Sequence, residues 1–259
     1  MSVEGVKVAL DFAYPTHRSI DLRGDFEPEL TSVLQRTVRP GDVFVDIGAN
    51  FGWYTCWMLV KQPALRAAYA FEPQAAIFGL LERSLRANRC EKRCVPQRLA
   101  IGAKPGTLSI KKFAGLDPMH ASFYPLADLP FEEEEVCVKP LDMLVQEMAG
   151  VPAMIKCDVE GAEREVLLGS AKLMAGTFGT PPLWFLEANY ETAAMAGYFP
   201  WELVEIGTQY GYRAYAIRES RAVELRSNKG LRHNDVLILA IPACHHDRLA
   251  ETGLTRAGE

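Results

Sequence analysis

The 259-residue chain reads as an α/β protein built on a mostly parallel sheet flanked by helices, and three observations predict this. Short apolar runs suited to buried strands alternate with segments whose apolar residues recur at helical spacing. The first clear strand runs Val43-Phe44-Val45-Asp46-Ile47 straight into Gly48-Ala49-Asn50-Phe51-Gly52, after which Trp53 to Val60 can wind as a helix. Four apolar runs end at an acid, Asp46, Glu72, Asp158 and Glu187, and in a parallel sheet such ends share one rim.

Taken in order, residues 1–40 carry short apolar segments and one helix from Glu29 to Thr37 with Leu30, Val33 and Leu34 on a common stripe. They are expected to form a cap or extension that closes the sheet or covers the substrate side. Arg39-Pro40-Gly41-Asp42 ends that helix and launches the first strand. Ala68-Tyr69-Ala70-Phe71 is the second strand, and Glu72-Pro73 stops it because proline cannot donate to a ladder. Ile77, Leu80, Leu81, Ser84 and Leu85 then trace a helical stripe that ends near Asn88. Val95 to Ile101 is the third strand. Thr107 to Ile110 and Val136 to Val138 are two extra strands, separated by a loop that includes His120, Ala121 and Ser122. The run Glu132 to Glu135 is expected at a solvated edge.

Asp142 is placed to cap a helix through Met148. Ala153 to Cys157 is the fourth core strand and stops at Asp158-Val159-Glu160-Gly161, followed by a helix from Ala162 with Val166, Leu167, Leu173 and Met174 inward. Pro182 to Leu186 is the fifth strand, ending at Glu187-Ala188-Asn189. Phe199 to Tyr210 is helical, and Arg213 to Ile217 with Asp235 to Ile241 close the sheet. The expected organisation is one domain over residues 41–242, with residues 243–259 as a tail.

Composition narrows the function classes. With 49% hydrophobic and 24% charged residues, the chain is an ordinary globular protein. A net charge of −5 argues against a grip on nucleic acid, which needs a basic face. The N-terminus lacks a basic segment followed by an apolar core, and no run approaches the roughly eighteen apolar residues of a membrane helix. A cytoplasmic protein without membrane partners is expected. Six cysteines without a C-x-x-C pair indicate neither a zinc knuckle nor a disulfide framework.

A glycine turn between a strand and a helix sets a ligand against bare backbone at the helix N-terminus. Dinucleotide-binding oxidoreductases use a similar turn, but Asp46 stands where their first glycine would be. A carboxylate there repels pyrophosphate and suits an ammonium or sulfonium charge. S-adenosylmethionine carries both. Glu72 at the tip of the second strand can accept hydrogen bonds from both ribose hydroxyls. The bland alternative is a turn whose glycine only permits close helix packing.

Three motifs together, Asp46-Ile47-Gly48-Ala49-Asn50-Phe51-Gly52, Phe71-Glu72-Pro73 and Ile155-Lys156-Cys157-Asp158-Val159-Glu160-Gly161-Ala162-Glu163, resemble those of the FkbM family of methyltransferases. Ala121-Ser122-Phe123 is similar to that family's serine-containing loop. The resemblance implies the class I methyltransferase (Rossmann-like) fold, with a mostly parallel seven-stranded sheet flanked by helices and extra strands inserted after the third core strand. It implies S-adenosylmethionine as donor, and O-methylation of a hydroxyl on a small natural product or sugar. The residues expected at the cofactor are Asp46, Gly48, Asn50, Gly52, Glu72, Pro73, Ala100, Ser122 and Asp158.

A neutral hydroxyl is a poor nucleophile, so an alcohol acceptor calls for a positioned base. Asp158 is the first candidate, because the fourth strand's end faces the methyl group in this architecture; its structural alternative is capping the next helix. Glu160, Glu187 and His233 are further catalytic candidates, and Glu163 is expected to bridge to the first-strand loop. Trp53 and Tyr54 can wall the methionine end, and His120 can touch substrate. Asp158, Glu187 and Asn189 supply oxygens enough in kind for a Mg²⁺, although the reading without a metal is preferred. The expected partner is a small hydroxyl-bearing acceptor, and a homo-oligomer is compatible with the sequence. N-methylation of a small amine, a non-catalytic cofactor-binding module and a nicotinamide oxidoreductase are the competing functions.

Overall fold

The computed structural model describes residues 1–113, 121–124 and 130–253. The chain begins with a small hairpin, β1 (Ser2–Val3) and β2 (Val6–Lys7), then helices α1 (Pro15–Arg23) and α2 (Pro28–Thr37). The alternating part follows: β3 (Val43–Ile47), α3 (Trp53–Lys61), β4 (Ala67–Phe71), α4 (Ala75–Ala87) and β5 (Cys94–Gln97). An inserted piece consists of β6 (Ala100–Ile101), β7 (Gly106–Phe113) and β8 (Phe131–Lys139). Then come β9 (Met154–Cys157), α5 (Glu163–Leu168), α6 (Ala171–Met174), β10 (Leu183–Asn189), α7 (Tyr190–Met195) and α8 (Trp201–Thr208). The chain closes with β11 (Arg213–Arg218), β12 (Arg221–Leu225), β13 (Asn234–Ala240) and α9 (Pro242–Ala250).

The main sheet has eight strands in the order β12-β11-β13-β10-β9-β3-β4-β5. Strands β5, β4, β3, β9 and β10 run parallel, and β13 lies antiparallel between β10 and β11. The expected seven become eight because Glu219 and Ser220, both at positive φ, turn the chain back into the β11–β12 hairpin. Every residue of β3 and β4 is buried, as both faces of a helix-covered parallel sheet demand. Alternate residues serve opposite faces. Phe44, Ala68, Ala70 and Met154 join the cluster under α2, α3 and α4, while Val43, Val45, Ile47, Tyr69 and Phe71 join the one under α5 and α8. Ile47 is level with both Phe71 and Cys157, so the acids following these strands emerge on one rim. The strand order reverses between β3 and β9, the place where open α/β sheets bind ligands.

Three expectations are corrected. The third strand is two pieces: β5 ends at Gln97, and β6 pairs in a separate three-stranded sheet with β8 and β7. Pro96 fits β5 because that strand lies at the sheet edge, where a missing N–H costs nothing. Asp142 does not start a helix of its own; its carboxylate accepts from the backbone N–H groups of Lys172 (2.8 Å) and Leu173 (2.9 Å) and so caps α6. The helix expected from Ala162 is accordingly split into α5 and α6. The acidic run sits within β8, level with Lys111 and Lys112 of β7, in long, mostly exposed ion pairs of 3.5–3.9 Å of little energetic weight.

Both chain ends contribute to the central packing. Val6, Ile20, Val33, Leu34 and Leu249 share one buried cluster with Phe44 and Phe185. Most of the expected tail is helix α9, where His245 bonds Ile241 and Pro181. Arg248 closes a bidentate pair on Asp42 at 2.5 and 2.8 Å and bonds the Thr37 carbonyl at 2.9 Å. Among the described residues no helix is long and apolar enough to cross a membrane. Because Asp42 is nearly buried, Arg248→Ala strands a carboxylate and is expected to cost about 2–4 kcal/mol of stability. The measurement is the urea midpoint, with an unchanged slope showing that folding remains two-state.

Candidate active site

Geometry at the glycine turn leaves no alternative residue at its key position. Gly48 has φ +72°, and a Cβ on it would lie 1.8 Å from the carbonyl oxygen of Asp158. The tips of β3 and β9 therefore pack backbone against backbone. Gly52 has φ +88°, and a Cβ there would meet Leu81 Cδ1 of α4 at 2.7 Å. Asn50 takes the left-handed conformation at φ +51°, a region asparagine tolerates better than most, and its side-chain oxygen accepts from Phe51 N–H at 2.8 Å. The N–H groups of Gly48 and Ala49 both donate to Phe71 O, tying the turn to β4.

Glu72 completes the turn. One carboxylate oxygen accepts from Asn50 N–H at 3.1 Å and the other from Gln74 N–H at 2.9 Å. Burial pushes its pKa up to about 7, against the pull of those two donors.

Asp46 is corrected. Its carboxylate is fully buried and turned beneath the turn, accepting from Thr55 N–H at 3.1 Å and Thr55 Oγ1 at 2.6 Å. It therefore anchors the start of α3 and does not line the crevice that a cationic ligand would enter. Burial raises its pKa, and Lys156 opposes that rise. Lys156 is a functional residue outside the expected set, and a lysine within the otherwise apolar Met154-Ile155-Lys156-Cys157 is the signal that marks it. Its ammonium is buried, donates to Gly48 O at 3.0 Å, and lies 3.7 Å from Asp46 and 3.4 Å from Asp158. Burial pulls its pKa down, but Asp158 and Asp46 together win and hold it above the ordinary lysine value.

Two cavities meet at this lysine. The first, about 820 Å³ including its mouth, is lined by Gly48, Asn50, Glu72, Pro73, Ala100, Asp158 and Glu160, with Trp53 and Tyr54 on one side and Leu99, Ile101 and Ile110 on another. It offers bare backbone at a helix start, a carboxylate able to accept from a diol, and an apolar slot for a flat ring. The second, about 1010 Å³, is lined by Glu27, Glu29, Asp158, Glu187 and Asp235, with apolar Leu30, Phe185, Ile217 and Val236. Lys156 and Asp158 line both.

The remaining candidates divide. Gly52 lies behind the turn, against α4. Ser122 is a brace, donating to Glu160 O at 3.0 Å and accepting from Tyr124 N–H at 3.2 Å, while its neighbours Ala121 and Phe123 line the first cavity. Glu160 stands at φ +52°, and burial followed by the charge of Asp158 pushes its pKa up to about 9. Glu163 does not reach the first-strand loop; it accepts from Val159 N–H, Gly161 N–H and Tyr198 Oη, fixing its own turn. Glu187 faces the second cavity, with Oε2 buried and without a hydrogen-bond partner. Asn189 spends its side-chain oxygen capping α7. His233 points outward, two-thirds exposed and 3.7 Å from Glu191. His120 lies outside the described residues. Glu27, which lies in no motif of the sequence, accepts from Tyr54 Oη beside the second cavity. Carboxylate oxygens of Asp158, Glu163 and Glu187 lie within 4.8 Å of one another, but those of Glu163 are already committed. The expected Mg²⁺ set thus reduces to Asp158 and Glu187.

Comparison with known proteins agrees with this layout. Residues 46–213 match the family model described as the Methyltransferase FkbM domain. The 31-O-demethyl-FK506 methyltransferase FkbM of Streptomyces tacrolimicus is 26% identical over 163 residues, 51% of this chain and 60% of that protein. The hexuronic acid methyltransferase AglP of Haloferax volcanii is 28% identical over 152 residues, 58% of this chain and 57% of that protein. The chain thus spans less than two thirds of either relative. The crystal structure of Methyltransferase FkbM from Methylobacillus flagellatus KT aligns with a TM-score of 0.50 and 17% identity over 78% of this chain and 45% of that one, a likeness of the class I methyltransferase fold. With a match that covers more than half its length and runs through all three strand-end motifs, the chain belongs to the FkbM family of methyltransferases.

Proposed function

We propose that the chain is an S-adenosylmethionine-dependent O-methyltransferase that acts on a hydroxyl of a small natural product or sugar. The observation that carries this reading is the position of Asp158, a half-exposed carboxylate lining two adjoining cavities. A two-substrate reaction needs a donor site, an acceptor site and a proton-accepting group between them. The names of two relatives, one for an O-demethylated natural product and one for a sugar acid, support the acceptor class.

In this reading the first cavity holds the donor. Gly48 and Asn50 present backbone, Glu72 receives the ribose hydroxyls, and Pro73 with Ala100 flanks the adenine. When bound, S-adenosylmethionine supplies a methyl carbon activated by its sulfonium. Asp158 orients the acceptor hydroxyl from the second cavity and takes its proton. Lys156, fixed by Gly48 O and Asp46, holds that carboxylate in place and is a positioning residue. Glu160, its pKa raised by burial and then by the charge of Asp158, is held towards its neutral form and does not compete as the base. Closing the site excludes water, the competing nucleophile.

The basic test incubates the protein with S-adenosylmethionine and a panel of sugars, phenols and macrolide-like alcohols, with mass spectrometry reading the gain of one CH₂ at oxygen. Asp158→Asn is expected to lower methyl transfer by about 10²- to 10⁴-fold while S-adenosylhomocysteine binds within about threefold of wild type. An equal loss of binding and transfer would remove Asp158 from the role of base. Glu72 supplies a separate test. Hydroxyl donors favour its ionised form, so cofactor binding lowers its pKa from about 7 and releases about half a proton at pH 7. Affinity should then fall by about tenfold per unit as pH drops below 7. Calorimetry in buffers of different ionisation enthalpy reads the proton release, which should vanish in Glu72→Gln.

A further inference from the structure

We propose that the acceptor carries a protonated amine, recognised in the second cavity by Glu187, so that the substrate class is an amino sugar or comparable amino alcohol. This deepens the O-methyl-transfer reading and rests on it for the fate of the acceptor's hydroxyl. Five acidic residues line the cavity, and among the described residues that line it Lys156 is the one cation. That cation is already shared between Asp46, Asp158 and Gly48 O. Asp235 is neutralised separately by a two-pronged Arg218 pair, one contact at 2.7 Å, and by Arg232 N–H at 2.6 Å. Glu27 has the Tyr54 hydroxyl, and Glu29 is exposed to solvent.

Glu187 is left over. Its Oε2 is buried, and among the described residues no donor meets it. Burial, then Asp158, Glu160 and Glu163, hold its pKa well above the ordinary carboxylate value, and a cationic ligand is the partner that returns it to the ionised form. A buried acceptor without a donor is costly unless a ligand brings one, and a cationic donor gives the larger return. The cavity's apolar wall of Leu30, Phe185, Ile217 and Val236 suits an organic cation with a carbon skeleton more than a bare metal ion. An anionic acceptor such as a hexuronate would add like charge to Asp158 and Glu187 and is disfavoured.

The experiment is calorimetric titration at pH 7 of protein first saturated with S-adenosylhomocysteine, using glucosamine, N-acetylglucosamine, glucuronic acid and magnesium chloride as separate probes. Glucosamine is expected to bind at least about tenfold tighter than N-acetylglucosamine, with glucuronic acid weakest. Glu187→Gln should erase that preference while S-adenosylhomocysteine still binds. Equal or tighter binding of the neutral or acidic sugar overturns the proposal. So does an absence of glucosamine binding, an unchanged preference in Glu187→Gln, or displacement of glucosamine by magnesium. If S-adenosylhomocysteine itself fails to bind in the first step, the methyl-transfer reading falls alone. The same sugars titrated into the empty wild-type protein then still decide the charge preference of the cavity.

Discussion

Lys156 is the hinge on which the rest of the structure turns. An ammonium buried in the middle of a parallel sheet would be prohibitively unstable without partners. Here it meets the carboxylates of Asp46 and Asp158 and the carbonyl of Gly48, three groups from the ends of two neighbouring strands. The same three contacts settle where the first strand stops, how the glycine turn lies against β9, and where Asp158 sits between the two cavities. Gly48 must be glycine because this arrangement brings Asp158 O to its α-carbon. Loss of Asp46 leaves the ammonium with Asp158 and Gly48 O alone, so a lesion at Asp46 is felt at Asp158 without any ligand touching Asp46.

What was legible in the sequence was what local chemistry determines. A positive φ at Gly48 and Gly52 is a backbone requirement that leaves its mark in residue type, and the all-buried strands β3 and β4 leave theirs as uninterrupted apolar runs. The direction of a side chain leaves no such mark. Asp46 could be located at the turn, yet whether its carboxylate faces the crevice or Thr55 depends on the packing of α3, which sequence spacing does not encode. The split of the third strand is a similar case: Pro96 is compatible with a strand, and only the pairing of β6 with a distant β8 decides that the chain leaves the main sheet. Glu27 comes from a segment far from any motif and reaches the site because α2 packs beside α3. Lys156 differs from these, since a cation in an apolar strand is legible in residue type alone.

Two glutamates at the site show how one residue type acquires opposite properties. Glu72 and Glu187 both follow or end parallel strands, and burial raises both. Glu72 has a backbone N–H on each oxygen, which fixes its orientation and leaves its remaining lone pairs aimed at the crevice. Glu187 has no donor on Oε2. In the proposed function this difference separates the tasks: the donor side is assembled before ligand arrives, and the acceptor side is completed by the ligand. Pre-assembly suits a cofactor common to every turnover, because binding then carries little reorganisation cost. An unsatisfied buried carboxylate suits discrimination, because an acceptor lacking the matching donor leaves the cost in place. In that reading, selectivity in the second cavity follows from the buried, unpartnered oxygen of Glu187, while Asp158 and Asp235 have cations of their own.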